Sequence, residues 1–75
     1  MILIDSSNQP YSTIETISGQ VRVTKIEHGW AGEPCIRVQI QDESNHLRFG
    51  PDIPMSCLSK VIEAMKALGH TTSST

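Results

Sequence analysis

Across residues 21–49 the chain alternates apolar and polar positions in three short runs, and a single apolar stripe of helical spacing follows them. In residues 35–41, Ile36, Val38 and Ile40 share one parity and Cys35, Arg37, Gln39 and Gln41 share the other. Successive side chains of a strand point to opposite faces, so this pattern predicts a strand with one buried face. Residues 46–49 repeat it, with Leu47 and Phe49 inward and His46 and Arg48 outward. The first run places Val21 and Val23 inward against Arg22 and Thr24, but Ile26 falls on the wrong parity. A bulge or twist near Thr24 and Lys25 would reconcile it.

Upstream, residues 2–4 predict an edge strand, ended by the turn formers of residues 5–10. The β-branched content of residues 11–18 favours a strand pairing with the next run, and Gly19 offers a bend between them. Residues 27–34 hold two glycines and a proline and predict a hairpin loop with Trp30 near its tip. Residues 42–45 are a second turn, and residues 50–52 break the sheet. Leu58, Val61, Ile62, Met65 and Leu68 then line one helical face, opposite Ser59, Lys60, Glu63 and Lys66. Asp52 or Ser56 suits the N-cap, Pro54 the first turn and Gly69 the C-cap.

The expected fold is therefore α+β: a small antiparallel β-sheet of three to five strands packed on one C-terminal α-helix. The helix stripe laid over Val21, Val23, Ile36, Val38, Ile40, Leu47 and Phe49 would make the core. Residues 1–69 form one domain and residues 70–75 a flexible polar tail.

With 75 residues, 37% of them apolar, the chain has room for one small core. A domain of this size hides only about 60% of its unfolded surface and is marginally stable alone, so a homodimer is expected. Six basic residues against eight acidic ones give a net charge of -2, which offers no general attraction to nucleic acid or anionic lipid. Cys35 and Cys57 show no paired spacing and read as free thiols of a reducing compartment. The opening Met-Ile-Leu-Ile is too short for a signal-peptide core, and no apolar run approaches the roughly 20 residues of a membrane helix. A soluble, cytoplasmic protein is expected, with no membrane partner.

For chemistry, His28, Cys35, His46, Cys57 and His70 are scattered, without the close spacing of a zinc site. Cys57, near a helix start, stands where reactive thiols are made, although a half-buried place beside Leu58 explains it as well. His28 and His46 have no nucleophile or orienting acid placed beside them, and no phosphate loop or nucleophile elbow is present. No catalytic residue, metal or cofactor is assigned, and an enzyme is not expected.

The outward residues of the alternating runs are the candidate site: Arg22, Thr24, Arg37, Gln39, Gln41, His46 and Arg48, together with Trp30. On one sheet face they would set three arginines among hydrogen-bonding side chains without a carboxylate, a surface suited to single-stranded nucleic acid. A sheet open to water on one side must be polar there in any case, and this face lacks the aromatic platform on which bases stack. Trp30 is either folded back on the core, packed in a dimer, or an anchor for a partner.

The order of strands, Gly-rich hairpin and C-terminal helix over residues 20–68 resembles the transcriptional coactivators of the positive cofactor four type, which are dimers that bind single-stranded DNA across a curved sheet. The opening Met-Ile-Leu-Ile with strands and a late helix is also loosely similar to the carbon storage regulator family of RNA-binding proteins. It departs from them at Asp5-Ser6-Ser7, where that family has RNA-binding arginines. The likeness is architectural and carries over no site residue. Two functions are thus expected of a non-catalytic binding module: a regulatory nucleic-acid-binding protein, or a small accessory or inhibitor protein acting by protein–protein interaction.

Overall fold

The computed structural model describes residues 1–29 and 32–71. One antiparallel sheet contains β1 (Leu3–Ile4), β2 (Pro10–Thr16), β3 (Gly19–Ile26), β4 (Cys35–Asp42), β5 (Leu47–Arg48) and β6 (Asp52–Pro54). The strands lie side by side in chain order, and both β5 and β6 pair with β4. A 3-10 turn, Met55–Cys57, runs straight into α1 (Leu58–Thr71). The fold is α+β, a small antiparallel sheet followed by one C-terminal helix, as the two hydrophobic periods predict.

One turn is built twice from one sequence pattern, Asp5-Ser6-Ser7-Asn8 before β2 and Asp42-Glu43-Ser44-Asn45 after β4. In each, the aspartate Oδ1 accepts two backbone N–H bonds: from Ser7 and Gln9 at 2.9 Å in the first, and from Ser44 at 3.0 Å and His46 at 3.1 Å in the second. Asn8 and Asn45 take the left-handed conformation, both at φ 64°, which asparagine tolerates better than most residues. The second carboxylate oxygen then reaches an arginine, Arg22 from Asp5 at 3.4 Å and Arg48 from Asp42 at 3.3 Å.

The residues of β5 and β6 form one edge interrupted by a bulge. Arg48 lies opposite Ile40 and Asp52 opposite Arg37, so three residues, Phe49 to Pro51, face only Val38 and Gln39. The extra residue resets the side-chain parity. It puts Asp52 on the same face as Arg37, and the Val38 N–H still finds an acceptor in the Pro51 carbonyl at 3.1 Å. Gly50 passes so close to the Val38 carbonyl that a Cβ there would overlap it. The strand β6 was not predicted, because Gly50-Pro51-Asp52-Ile53-Pro54 reads as turn and helix start. An edge strand tolerates its flanking prolines.

Four sequence expectations need correction. The strand β3 runs unbroken in register with β4 from Gly19 to Ile26, with no bulge at Thr24 or Lys25, and Ile26 simply points to the face of Arg22 and Thr24. Leu47 lies opposite Gln41 and Arg48 opposite Ile40, so the third run faces the other way from the alternation's prediction, and Phe49 is fully exposed at the bulge. The helix continues through Gly69 to Thr71, so Gly69 is not its C-cap and residues 70 and 71 belong to α1 rather than to a tail. Neither Asp52 nor Ser56 caps the turn: Asp52 binds Arg37 and Ser56 donates to the Glu33 carboxylate at 3.1 Å.

The core is also on the unexpected side. Among the described residues the buried ones are Thr24, Ile26 and Cys35, all on the polar-parity face of β3 and β4. Gly29, after β3, lies so close to Cys35 that a Cβ there would meet its sulfur. The apolar-parity residues Val21, Val23, Ile36 and Val38 are only half-buried, and Ile14 and Ile40 are 52% and 48% exposed. The helix does not cover them: Ile62, Met65 and Leu68 are 42%, 56% and 67% exposed.

Candidate interaction surface

The polar-parity face is set by the β2–β3–β4 register. Thr24 lies between Tyr11 and Arg37, Arg22 lies opposite Gln39, and Gln20 lies opposite Gln41. Arg22, Thr24, Arg37, Gln39 and Gln41 therefore share one face, as the alternation predicts. Arg48 does not join them, since its partner Ile40 is on the other face. His46 sits in the turn before β5, donating its backbone N–H to Asp42. Trp30 lies outside the described residues.

Nor is the arginine face free of carboxylates. Arg37 makes a two-pronged bond to Asp52, Nε to Oδ1 at 2.7 Å and Nη2 to Oδ2 at 3.0 Å, the geometry that a guanidinium fork offers a carboxylate. Arg22 meets Asp5 and lies 3.9 Å over the centre of the Tyr11 ring, so one edge and one face of its guanidinium are engaged. Arg48 is held by Asp42. All three arginines thus carry a local counter-charge, supplied by two turns and by a strand that the alternation could not show. Thr24 is 3% exposed, and its Oγ1 and the Arg22 Nε are buried without a hydrogen-bond partner among the described residues.

Two of these carboxylates are tuned by their partners. The Arg37 hydrogen bond holds Asp52 below its ordinary value of 3.8, against a smaller opposing effect of burial. The backbone N–H of His46, then that of Ser44 and the charge of Arg48, lower Asp42 in the same way. A depressed folded-state pKa contributes stability that is complete above the unfolded value and is lost as pH falls through the folded one. The protein is therefore expected to lose stability as pH drops below about 4, and Asp52→Asn to flatten that loss. Urea midpoints compared between neutral and acidic buffer check this.

Cys35 is 1% exposed, and burial followed by the nearby charge of Asp52 raises its thiol above the usual 9.0, which keeps it protonated and unreactive at neutral pH. The Cys57 sulfur lies 3.6 Å from the Pro54 carbonyl, and both cysteines are free thiols. Among the described residues no three His, Cys, Asp or Glu side chains group as metal ligands. No described helix is long and apolar enough to cross a membrane.

The opposite face is the larger feature. Ile14, Val21 and Ile40 form one row across β2, β3 and β4, Val23 and Val38 form the next, and Ile36 continues to Ile53 on β6. Beside them lies an open apolar groove of about 260 Å³ walled by Ile2, Pro10, Val23 and Ile36. The helix does not pack on this face, and its main contacts are with the 3-10 turn. The Met55 N–H donates to the Pro34 carbonyl at 3.1 Å and Ser56 to Glu33, which ties the 3-10 turn to the β3–β4 connection with no loop before α1. The radius of gyration is 13.8 Å, against about 11 Å for a compact chain of this length. Compared with known proteins, the chain matches no family model, no curated protein and no solved structure.

Proposed function

We propose that this chain is a small, non-catalytic binding module that works by protein–protein contact, with the apolar face of the sheet and the stripe of α1 as its working surfaces. One observation carries the reading: the residues whose alternation should build the core form an open face, while the buried residues sit on the other side. Contiguous apolar surface beyond a few hundred Å² is uncommon on a monomer and marks a site of association. Such a surface supports an accessory or inhibitor role. The two free thiols support a reducing, cytoplasmic setting.

The nucleic-acid reading keeps one observation in its favour, the shared face of Arg22, Arg37, Thr24, Gln39 and Gln41. Its electrostatic basis is weaker, because each arginine already has a carboxylate and phosphate would have to displace it. One comparison separates the two. Self- or partner association is expected to persist at high salt, to survive Arg37→Ala and to be lost in Ile40→Lys. Tight binding of single-stranded or duplex oligonucleotides that falls steeply with salt and disappears in Arg37→Ala would overturn the protein-contact reading.

A further inference from the structure

We infer that the partner of the apolar face is a second copy of this chain, docked reciprocally so that α1 of each protomer lies along β2, β3 and β4 of the other. This rests on the reading of that face as a protein-binding surface and names its occupant.

The two surfaces match in chemistry and in size. The sheet presents Ile14, Val21, Val23, Val38 and Ile40, and α1 presents Ile62 and Met65 at the spacing of one helical face. The helix has 14 residues, about 21 Å at 1.5 Å per residue. The central strands have 8 residues each, about 27 Å at 3.4 Å per residue. A helix laid along them covers most of the face.

The connection explains why the match is met between chains. There is no loop between β6, the 3-10 turn and α1, Met55 and Ser56 are tied to Pro34 and Glu33, and α1 makes its main contacts with the 3-10 turn rather than with a strand of its own sheet. An element that does not pack on its own domain can use the same surface on another copy, which is the logic of exchange between identical protomers.

The exposed area fits as well. The chain exposes 5829 Å², whereas a folded monomer of this length exposes roughly 4,600 Å². The excess, on the order of 1,000 Å² per chain, gives on the order of 2,000 Å² over a two-fold interface, within the range of stable dimers.

Sedimentation equilibrium from low micromolar to submillimolar protein tests this, with folding of every variant checked by circular dichroism. The wild type is expected to be a dimer, and Ile40→Lys on the sheet and Met65→Glu on the helix are each expected to weaken it at least about tenfold. Mixing these two variants is expected to restore a dimer. The mixed dimer keeps one wild-type helix–sheet contact and sets lysine against glutamate in the other. Should either variant fail to fold, Ile14→Lys and Ile62→Glu occupy the same two surfaces. A wild type that stays monomeric throughout, a dimer that both variants leave intact, or a mixture that stays monomeric would each overturn the inference. A monomer that binds an apolar fluorescent dye in an Ile40-dependent manner would remove the second copy and leave the protein-binding reading standing. A monomer that binds no dye would remove both.

Discussion

Replacing Gly50 with alanine is expected to destabilise the protein by about 3 kcal/mol or more. The new methyl would overlap the Val38 carbonyl, a backbone atom of the central strand β4 that cannot turn aside as a side chain can. Relief requires β5 and β6 to pull away from β4, and the bulge that aims Asp52 at Arg37 goes with them. For a domain of this size, with a total stability of about 5 kcal/mol, that is most of the margin. Gly69→Ala is the control: among the described residues nothing lies within 4 Å of a Cβ at that helical position, and replacing a helical glycine generally gains about 0.5–1 kcal/mol. Urea denaturation of both variants checks the contrast, and equal small effects would mean that the bulge is not built as described.

The second large effect is at Ile26. It is 6% exposed and pairs with Cys35, itself 1% exposed, in the small core on the polar-parity face. Truncation to alanine removes buried methylenes and leaves a cavity, at a cost of about 2–5 kcal/mol. That cost is expected at every protein concentration, because the side chain is buried within one chain. Ile40→Ala should behave differently. At 48% exposure its truncation should cost an isolated chain well under what Ile26→Ala costs, and most of its effect should appear as weaker association. Denaturation midpoints measured over a range of protein concentrations separate the two. If Ile40→Ala were as costly as Ile26→Ala in dilute protein, the apolar face would already be covered within the chain.

The contrast shows how far the sequence could be read. Alternation found β3 and β4, the turn formers found the connections around residues 5–10 and 42–45, and the helical stripe found α1, because each depends on a local period or local turn chemistry. Alternation also sorted residues 35–41 correctly into two faces. It could not say which face is covered. Val21, Val23, Val38 and Ile40 look like a core because apolar residues usually lie inside, yet Thr24, Ile26 and Cys35 are the buried ones among the described residues.

The candidate site was legible to the same degree. Five of its residues do share a face, since parity within a strand and register between neighbours decide that. Arg48 was misplaced because its strand pairs out of phase with the prediction, and a phase is fixed by register, which no single strand reveals. The missing carboxylates had a local signal for two of the three. Asp5-Ser6-Ser7-Asn8 and Asp42-Glu43-Ser44-Asn45 spell the same turn, and each turns its spare oxygen to an arginine. Asp52 had none, because its position depends on the bulge at Gly50.

The direction of α1 was least accessible of all. Its apolar stripe announces that it must cover something, but only the exposure of Ile62, Met65 and Leu68 and the contacts of α1 with the 3-10 turn show that it does not cover its own sheet.

The most direct measurement is an isotope-filtered NOE experiment on a dimer reassembled from labelled and unlabelled chains. The methyl groups of Ile62 and Met65 are expected to show contacts to those of Val21, Val38 and Ile40 across the labelled–unlabelled boundary. The same contacts arising only within single chains would mean that the helix closes over its own sheet, and would contradict the open apolar face on which the account rests.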